Sequence, residues 1–188
     1  KERGFEVHTL NLNHYSSGKL EETLSDTAFD AVLTGGIMNH LKIVKSVVDI
    51  VKQHDPRILT IVGGPMATSH AEVVVDYLKI DYAVLGEGEE IVFNLLKAIQ
   101  NGEDISEILG IAYKKDGKCI ETPEAPRIND LDALPFPDYE GFEFDHFLDN
   151  FKHNNQTIVL SKDIRMAYIA GSRDCPAKCT FCFRTMGG

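Results

Sequence analysis

The chain of 188 residues contains no tryptophan, four cysteines, seven prolines and no apolar run of about 18 residues. The missing run excludes a membrane-spanning helix, and no signal peptide is visible. Four cysteines give no disulfide framework for a chain of this size. Positive charge is also scarce, since 19 lysines and arginines face 29 acidic residues and leave a net charge of −10. We therefore expect a soluble, cytoplasmic protein with no nucleic-acid partner.

Apolar residues, which make up 43% of the chain, follow a pattern in which strand-like segments alternate with helix-like ones. The predicted strands are Phe5–Leu12, Phe29–Leu33, Arg57–Val62 and Tyr82–Leu85. The predicted helices cover residues 20–24, 39–54, 71–78 and 89–101, and the second of them has an apolar face made by Leu41, Val44, Val48 and Val51. This alternation predicts an α/β fold with a Rossmann-like parallel sheet covered on both faces.

Glycine follows three of the predicted strands, as Gly35-Gly36, as Gly63-Gly64 and as the pair Gly86 and Gly88. Parallel strands present their carboxyl ends at one edge of the sheet, where ligands bind, and glycine lets backbone approach a large flat ligand. Tight strand-to-helix turns are the competing explanation for these glycines. A dinucleotide fits poorly, because the last loop lacks the third glycine of G-x-G-x-x-G and its glutamates would repel a pyrophosphate.

Three of the four cysteines fall in the last fourteen residues, as Cys175, Cys179 and Cys182, with Phe181 directly before the last one. Three thiolates at this C-x3-C-x2-C spacing can hold three corners of a [4Fe–4S] cluster and leave the fourth iron open for substrate chemistry. A structural zinc site, which usually has four ligands, and chemically inert thiols are the alternatives. Cys119 lies in a predicted hairpin, where we expect it to fill space as a small apolar residue.

The cysteine run resembles the C-x3-C-x-aromatic-C signature of the radical S-adenosylmethionine (radical SAM) enzymes. The elements before it resemble the cobalamin-binding domain that precedes the barrel in many of these enzymes. The strings that carry this second resemblance are Leu33-Thr34-Gly35-Gly36, Val-Gly-Gly-Pro-Met-Ala-Thr at 62–68, Gly-Glu-Gly-Glu at 86–89, the segment 110–117 with its Asp-Gly turn, and the linker 130–137. Together they cover nearly the entire chain.

The resemblance implies a cobalamin-binding Rossmann-like domain over residues 1–125, a linker over 126–154 and the beginning of a radical SAM (β/α) barrel over 155–188. Residues 157–160 and 165–170 are predicted strands of that barrel, which would place the cysteine run at its catalytic face. The aromatic residues of the linker are expected to pack between the domains. Because the first residues resemble the end of a helix, we expect the chain to be a piece of a longer protein.

The resemblance also implies the site residues. Cys175, Cys179 and Cys182 would hold the cluster, and Phe181 would lie at the same cofactor site. The implied cobalamin-binding residues are Thr34, Gly35, Gly36, Met38, Gly63, Gly64, Pro65, Thr68, Gly86, Glu87 and Gly88. None of the histidines up to residue 70 stands in the D-x-H-x-x-G string that supplies a cobalt ligand in many cobalamin domains. We expect these histidines on the surface or at helix ends, with His40 and His70 nearest to the ligand-facing loops.

The cofactors implied by the resemblance are a [4Fe–4S] cluster, S-adenosylmethionine (SAM) and cobalamin. In such enzymes an electron from a donor such as flavodoxin or ferredoxin leads to a 5′-deoxyadenosyl radical, which removes a hydrogen atom from the substrate. Cobalamin then delivers a methyl group, so the leading expectation is methyl transfer to an unactivated carbon of a small metabolite, natural product or lipid. A radical SAM cyclase or rearrangement enzyme and a non-catalytic cobalamin-sensing module are the alternatives. We further expect Gly64→Val to block cobalamin binding without unfolding the domain.

Overall fold

A five-stranded sheet forms the centre of the computed structural model, which describes residues 3–12, 15, 18–149, 173, 177, 179 and 180. The strands lie side by side in chain order: β1 (Ala31–Gly35), β2 (Leu59–Gly63), β3 (Tyr82–Val84), β4 (Ile111–Lys115) and β5 (Lys118–Glu121). The first three strands are parallel, whereas β4 and β5 form a hairpin that pairs antiparallel with β3. The predicted Rossmann-like α/β fold is confirmed, with an antiparallel extension of the parallel sheet.

Six helices accompany the sheet in the described residues. They are α1 (Lys19–Asp26), α2 (Leu41–His54), α3 (Pro65–Ser69), α4 (Ala71–Leu78), α5 (Gly88–Asn101) and α6 (Phe144–Asp149). Short 3-10 turns precede α2 at Met38–His40 and follow α5 at Ile105–Glu107. The sequence pattern misses α3, because five residues complete only about one and a half turns and show no helical period.

Both faces of the sheet are covered by helices. One face buries Val62 and Ala83 in a cluster with residues of α2 and α4, and the opposite face buries Ile61 and Val84 in a cluster with residues of α5. Successive strand residues point to opposite faces, so β2 and β3 contribute to both clusters. The burial of both strand faces explains why these strands have almost no polar residues.

The apolar face predicted for α2 is confirmed. Val44 and Val48 pack on the sheet, and Val51 joins Leu20 and Leu24 of α1 in a third cluster beside β1. All five side chains are buried. The spacing of the three valines is helical, which places them on the side of α2 that faces the core.

A polar network ties β2 to β3 at the amino-terminal edge of the sheet. Asp81 Oδ2 accepts hydrogen bonds from the Thr60 backbone N–H at 2.6 Å, the Thr60 hydroxyl at 2.8 Å and Lys52 Nζ at 2.7 Å. Thr60 is the buried polar residue of the described part of the chain, and its hydroxyl is satisfied by this carboxylate. The two strands are thereby held in register at the end opposite to their glycine loops.

The hairpin prediction for residues 110–117 is confirmed. Its turn consists of Asp116 and Gly117, with φ angles of 50° and 78°, and two consecutive positive φ values are the geometry that tight hairpins favour. Gly110, at φ 73°, accepts a hydrogen bond from the Leu85 backbone N–H at 2.8 Å. This bond joins the end of β3 to the start of β4.

The predicted strand Phe5–Leu12 is wrong, because the described residues of this segment form no strand pairing. Phe5 instead packs edge-on against Phe93 of α5 at 6.1 Å, and Arg3, just before this segment, donates to both carboxylate oxygens of Glu90. Alternation of apolar and polar residues indicates a two-sided extended segment. A strand also requires a neighbour with free backbone groups, and no described strand lies beside this one.

Residues 126–149, the described part of the predicted linker, end in α6, a helix that was not predicted from the sequence. Tyr139, Phe144 and Phe147 form a chain of ring contacts at 5.1 Å and 5.8 Å, whereas Phe136 is 91% exposed. The predicted strands at 157–160 and 165–170 lie outside the described residues. Within the parts that are described, no helix is long and apolar enough to span a membrane.

Candidate functional site: a crevice at the carboxyl ends of the parallel strands

The loops after β1, β2 and β3 meet at the carboxyl edge of the sheet and surround a crevice of about 390 Å³. Its walls include Thr34, Gly63, Gly64, Gly86 and Gly88, five of the residues that the resemblance assigned to cobalamin. The volume lies within the range of about 300–1,000 Å³ that is typical of small-molecule sites. The crevice occupies the position where open parallel sheets bind ligands.

Four further crevice residues are apolar, and they were not among the site residues predicted from the sequence. They are Leu33, Ile61, Val84 and Val92, and the charged Glu89 lies at the rim. Ile61 and Val84 are 2% exposed, whereas Leu33 is 48% exposed. Counting alternate residues back from each strand end would have identified Leu33, Ile61 and Val84, since Leu33 pairs with Ile61 in the register and residues of one parity share a face.

The first two glycine loops are joined by backbone hydrogen bonds. Gly36 N–H donates to the Gly63 carbonyl at 3.4 Å, and Met66 N–H donates to the Gly36 carbonyl at 3.1 Å. Gly64 has φ 83° and ψ −174°, a combination that is essentially confined to glycine. The conformation of Gly64 turns the chain from β2 into α3 and brings its backbone against Gly36.

The third loop is tied to the second through a threonine. The Thr68 hydroxyl accepts a hydrogen bond from the Gly86 backbone N–H at 2.9 Å and donates to the Gly64 carbonyl at 3.3 Å. These two bonds fix the width of the crevice between the loops after β2 and β3. Thr68 therefore supports the crevice from behind, although it does not line it.

Five of the loop glycines fall into two groups according to the atoms that an added Cβ atom would meet. A Cβ on Gly35 would lie 2.5 Å from the Gly63 carbonyl oxygen, and one on Gly64 would lie 3.2 Å from the Gly36 carbonyl oxygen. We call Gly35, Gly36 and Gly64 the loop junction. A Cβ on Gly63 or Gly88 would meet nothing closer than 3.6 Å, the nearest atoms belonging to Val84.

We call Gly63 and Gly88 the crevice wall. Neither has a positive φ, so the fold requires glycine at neither position. Both residues line the crevice, and their missing side chains leave it open. The loop junction needs glycine for its own packing, whereas the crevice wall uses glycine to keep space free.

Several residues that were assigned to cobalamin do not line the crevice. Gly35 and Gly36 belong to the loop junction, Pro65 is the first residue of α3, and Met38 begins the 3-10 turn before α2 and is 37% exposed. The Nδ1 atom of His40 would lie 2.7 Å from a Cβ on Gly36. The imidazole of His40 therefore sits against the outer side of the first loop.

Glu87 is not among the residues that line the crevice, and it contacts two distant parts of the chain. Its Oε2 atom accepts a hydrogen bond from the Ile128 backbone N–H at 2.6 Å, and its Oε1 atom pairs with Arg173 at 3.1 Å. Burial acts to raise the pKa of the Glu87 carboxyl, but the Ile128 hydrogen bond and the Arg173 guanidinium outweigh it and lower this pKa below its usual value.

Among the predicted cluster ligands, only Cys179 belongs to the described residues, and its side chain is exposed. Cys175, Cys182 and Phe181 lie outside them. Within the described residues no three potential ligands lie together. Cys119 packs against the cluster beneath α2 and α4, and burial raises the pKa of its thiol. The expectation that Cys119 fills space is confirmed.

The fold and the crevice are those of the α/β domains that bind ligands at the carboxyl edge of a parallel sheet. Residues 1–96, just over half of the chain, match the family model of the B12 binding domain. The chain belongs to this family. This match and the relatives below confirm the predicted resemblance to the cobalamin-binding domains of radical SAM proteins.

The chain is 30% identical to the anaerobic magnesium-protoporphyrin IX monomethyl ester cyclase of Rubrivivax gelatinosus over 90% of its own length and 30% of that protein. It is 29% identical to an uncharacterized methyltransferase of Pyrococcus horikoshii, PH0819, over 73% of its own length and 28% of that protein. The chain thus spans about 30% of the length of these curated relatives.

A solved structure shares the fold. It is the radical SAM methyltransferase TsrM of Kitasatospora setae with cobalamin and a [4Fe–4S] cluster bound. The TM-score is 0.59 at 21% identity, and the match covers 65% of this chain and 25% of TsrM. At this identity the likeness shows the arrangement of the elements and leaves the reaction of this chain to be argued from its residues.

Proposed function

We propose that this chain is the cobalamin-binding part, with the beginning of the cluster-binding part, of a radical SAM enzyme that transfers a methyl group to an unactivated carbon of a small molecule. The observation that carries the proposal is the glycine-walled crevice at the carboxyl edge of a B12-binding domain. The natural electron donor would be a small redox protein such as flavodoxin or ferredoxin. Bound cobalamin would supply a cobalt centre able to carry a methyl group.

The described residues fit a corrinoid with a nucleotide tail. The crevice has a volume of about 390 Å³, which suits one flat ring system and is too small to hold the corrin as well, so the corrin would lie across its mouth. Ile61 and Val84 provide an apolar floor for an aromatic base, and Gly63 and Gly88 leave the walls open. Leu33, half exposed beside the crevice, would be covered by the ligand.

Two corrinoids test this placement in the intact natural protein. Hydroxocobalamin should bind at about 10–100 μM or below, followed by absorbance, and cobinamide, which lacks the nucleotide tail, should bind at least about tenfold more weakly. Absence of hydroxocobalamin binding would overturn the proposed function. Equal binding of the two corrinoids would instead contradict the placement of the nucleotide tail in the crevice, and it would leave the proposal of cobalamin binding intact.

The cluster remains a proposal that rests on the spacing of Cys175, Cys179 and Cys182. The anaerobically reconstituted natural protein should contain about four iron and four sulfide per chain. Cys179→Ala should lose most of this iron, whereas Cys119→Ala is the matched control, because Cys119 lies in β5 and packs against the apolar cluster beneath α2 and α4. Stoichiometric zinc without iron, or a full cluster in Cys179→Ala, would contradict the assignment.

A second candidate is a cobalamin-using radical SAM cyclase. The observation that favours it is the 30% identity to a magnesium-protoporphyrin IX monomethyl ester cyclase over 90% of the chain. Anaerobic incubation of the reduced natural protein with that ester and SAM, followed by mass spectrometry, separates the candidates. Consumption of the ester favours cyclisation, and transfer of labelled methyl from SAM to an added small molecule favours the leading proposal.

The third hypothesis, a non-catalytic cobalamin sensor with a structural metal loop, predicts a different result. Such a protein would bind hydroxocobalamin and zinc, and it would not cleave SAM under reducing conditions. The proposed division into residues 1–125, 126–154 and 155–188 belongs to the enzyme reading, because it assigns the last part to a catalytic barrel. Formation of 5′-deoxyadenosine from SAM by the reduced natural protein would exclude the sensor.

A further inference from the structure

Arg173 lies two residues before Cys175, the first cysteine of the run, and it contacts the rim of the crevice. Its Nη1 atom donates to Glu87 Oε1 at 3.1 Å, and its Nη2 atom donates to Glu89 Oε1 at 2.5 Å. One guanidinium thus bridges two carboxylates 84 and 86 residues away along the chain. Arginine is suited to this bridging, because its planar fork presents several N–H donors in fixed directions.

The two glutamates lie at the start of α5, where Glu87 is the last residue before the helix and Glu89 is its second residue. Glu87 lies between Gly86 and Gly88, both of which line the crevice, and Glu89 lines it as well. The Glu87 side chain is only 10% exposed, and its second oxygen accepts from the Ile128 backbone N–H in the linker. Glu87 therefore joins the rim of the crevice, the linker and the segment that leads to the cysteines.

The position of Arg173 restricts where the cysteine run can lie. Cys175 follows only two residues later in the sequence, and two residues of chain span at most about 7 Å. The contact at Arg173 therefore brings the chain directly before the cysteine run to the rim of the crevice. Under the proposed function, this is where a substrate must meet both cofactors.

We propose that Glu87, Glu89 and Arg173 form a latch that docks the cysteine-bearing segment onto the rim of the cobalamin crevice. The role is one of positioning, because Glu87 and Arg173 contact protein groups and Glu89 takes part through its pairing with Arg173. The latch rests on the proposed function for its purpose, but its existence can be tested without any cofactor. Lysine at position 173 could keep the charge and could not bridge both carboxylates with a planar fork.

The first test is hydrogen–deuterium exchange on the cofactor-free natural protein. Arg173→Met should speed exchange of peptides that contain Ile128 and residue 173 by about two- to fivefold, the effect of a single partly exposed ion pair. Peptides from β2 should be unchanged. Arg57→Met is the matched control, because Arg57 pairs with Asp55 at the opposite edge of the sheet. Unchanged exchange around Ile128 in Arg173→Met, with the protein folded, would overturn the latch.

The second test measures the spacing of the two cofactors in protein loaded with cobalamin and cluster. Dipolar coupling between reduced cluster and cob(II)alamin, measured by paramagnetic resonance, should give one narrow distance in the natural protein and a broadened one in Arg173→Met, with Arg173→Lys between them. The iron content and the cobalt content per chain should each be the same in the natural protein and in both variants. An identical narrow distance in Arg173→Met would overturn the latch. Failure to load either cofactor would count against the proposed function, and the exchange result would still decide the latch.

Discussion

The loop junction and the crevice wall lie within a few residues of each other, yet their glycines serve different purposes. At the loop junction a Cβ on Gly35 would come within 2.5 Å of backbone, and Gly64 has a backbone conformation that other residues avoid. At the crevice wall Gly63 and Gly88 have room for a side chain. Only the glycines of the crevice wall therefore give information about a ligand, because the three glycines of the loop junction are explained by the fold.

This distinction changes the mutation that tests cobalamin binding. From the sequence, Gly64→Val was expected to block the ligand and leave the domain folded. The structure indicates that valine at position 64 strains the backbone and presses on Gly36, so lost binding would not distinguish ligand contact from unfolding. Gly63, one residue earlier, faces the crevice without either problem.

The largest expected effect belongs to Gly64→Val. Backbone strain at this conformation costs about 1–3 kcal/mol, and contact with the Gly36 carbonyl adds to it. Gly117→Val is the control, since Gly117 also has a positive φ and nothing within 4 Å of its Cβ. Urea unfolding of both variants should show a larger loss of stability for Gly64→Val. Equal losses would mean that packing between the loops contributes nothing.

Gly88→Ala should move stability and ligand affinity in opposite directions. Alanine at the first residue of α5 should raise the free energy of unfolding by about 0.4–1 kcal/mol, because its Cβ meets Val84 and Val92 at ordinary contact distances. The same methyl narrows the crevice, so the Kd for hydroxocobalamin should rise about fivefold, on the order of 1 kcal/mol.

Gly102→Ala, at the other end of the same helix, is the matched control for Gly88→Ala. Gly102 ends α5 with φ 68° and has nothing within 4 Å of its Cβ. Alanine there should cost about 1–2 kcal/mol of stability and leave cobalamin affinity unchanged. If Gly102→Ala weakens cobalamin binding as much as Gly88→Ala does, the distinction between the crevice wall and the loop junction is wrong.

The smallest expected effect concerns Glu87 and pH. Its pKa is lower in the folded protein than the ordinary value of 4.5, so the folded state holds a proton less readily than the unfolded one. The contribution of Glu87 to stability is therefore present above about pH 4.5 and is lost as the pH falls through the lower, folded pKa.

Thermal unfolding of wild type and Glu87→Gln from pH 7 downward measures this contribution. We expect wild type to melt about 1–2 °C higher near neutral pH, an effect of about 0.5 kcal/mol, and the difference to vanish in acid. Glu21→Gln, on the exposed side of α1, is the control. A difference that persists unchanged at acid pH would show that the charge of Glu87 is irrelevant to folding.

Most of the helices and parallel strands could be predicted from the sequence, because periodicity reports burial directly. The helix 71–78 is observed with the predicted bounds, and α2 buries the predicted valines. Phe5–Leu12 shows where this reasoning fails, since alternation describes one chain and a strand needs two. The antiparallel pairing of β4 with β3 depends likewise on a contact that no local pattern encodes.

The site could be predicted only in part for a related reason. Glycines at strand ends identify loops that gather at one edge of the sheet, but they do not tell whether the space beside each glycine is filled by another loop or left open. Gly35 pairs with Gly63 across the ends of β1 and β2, and this register separates the two roles. Arg173 was missed because its partners are more than 80 residues away.

The most direct test of cobalamin binding in the crevice is a series of substitutions of increasing size at Gly63. In the intact natural protein, hydroxocobalamin binding should weaken stepwise from wild type to Gly63→Ala to Gly63→Val, the last by about 1–3 kcal/mol or some five- to 150-fold in Kd. The melting temperature should stay within a few degrees, because valine is favoured in strands and the nearest atom to the new Cβ is 3.8 Å away.

Ser46→Val on the exposed side of α2 controls for adding a branched side chain elsewhere, and it should leave the Kd unchanged. We predict that the affinity for hydroxocobalamin falls with the size of residue 63 while the domain stays folded. A folded Gly63→Val protein that binds hydroxocobalamin as tightly as wild type would contradict it.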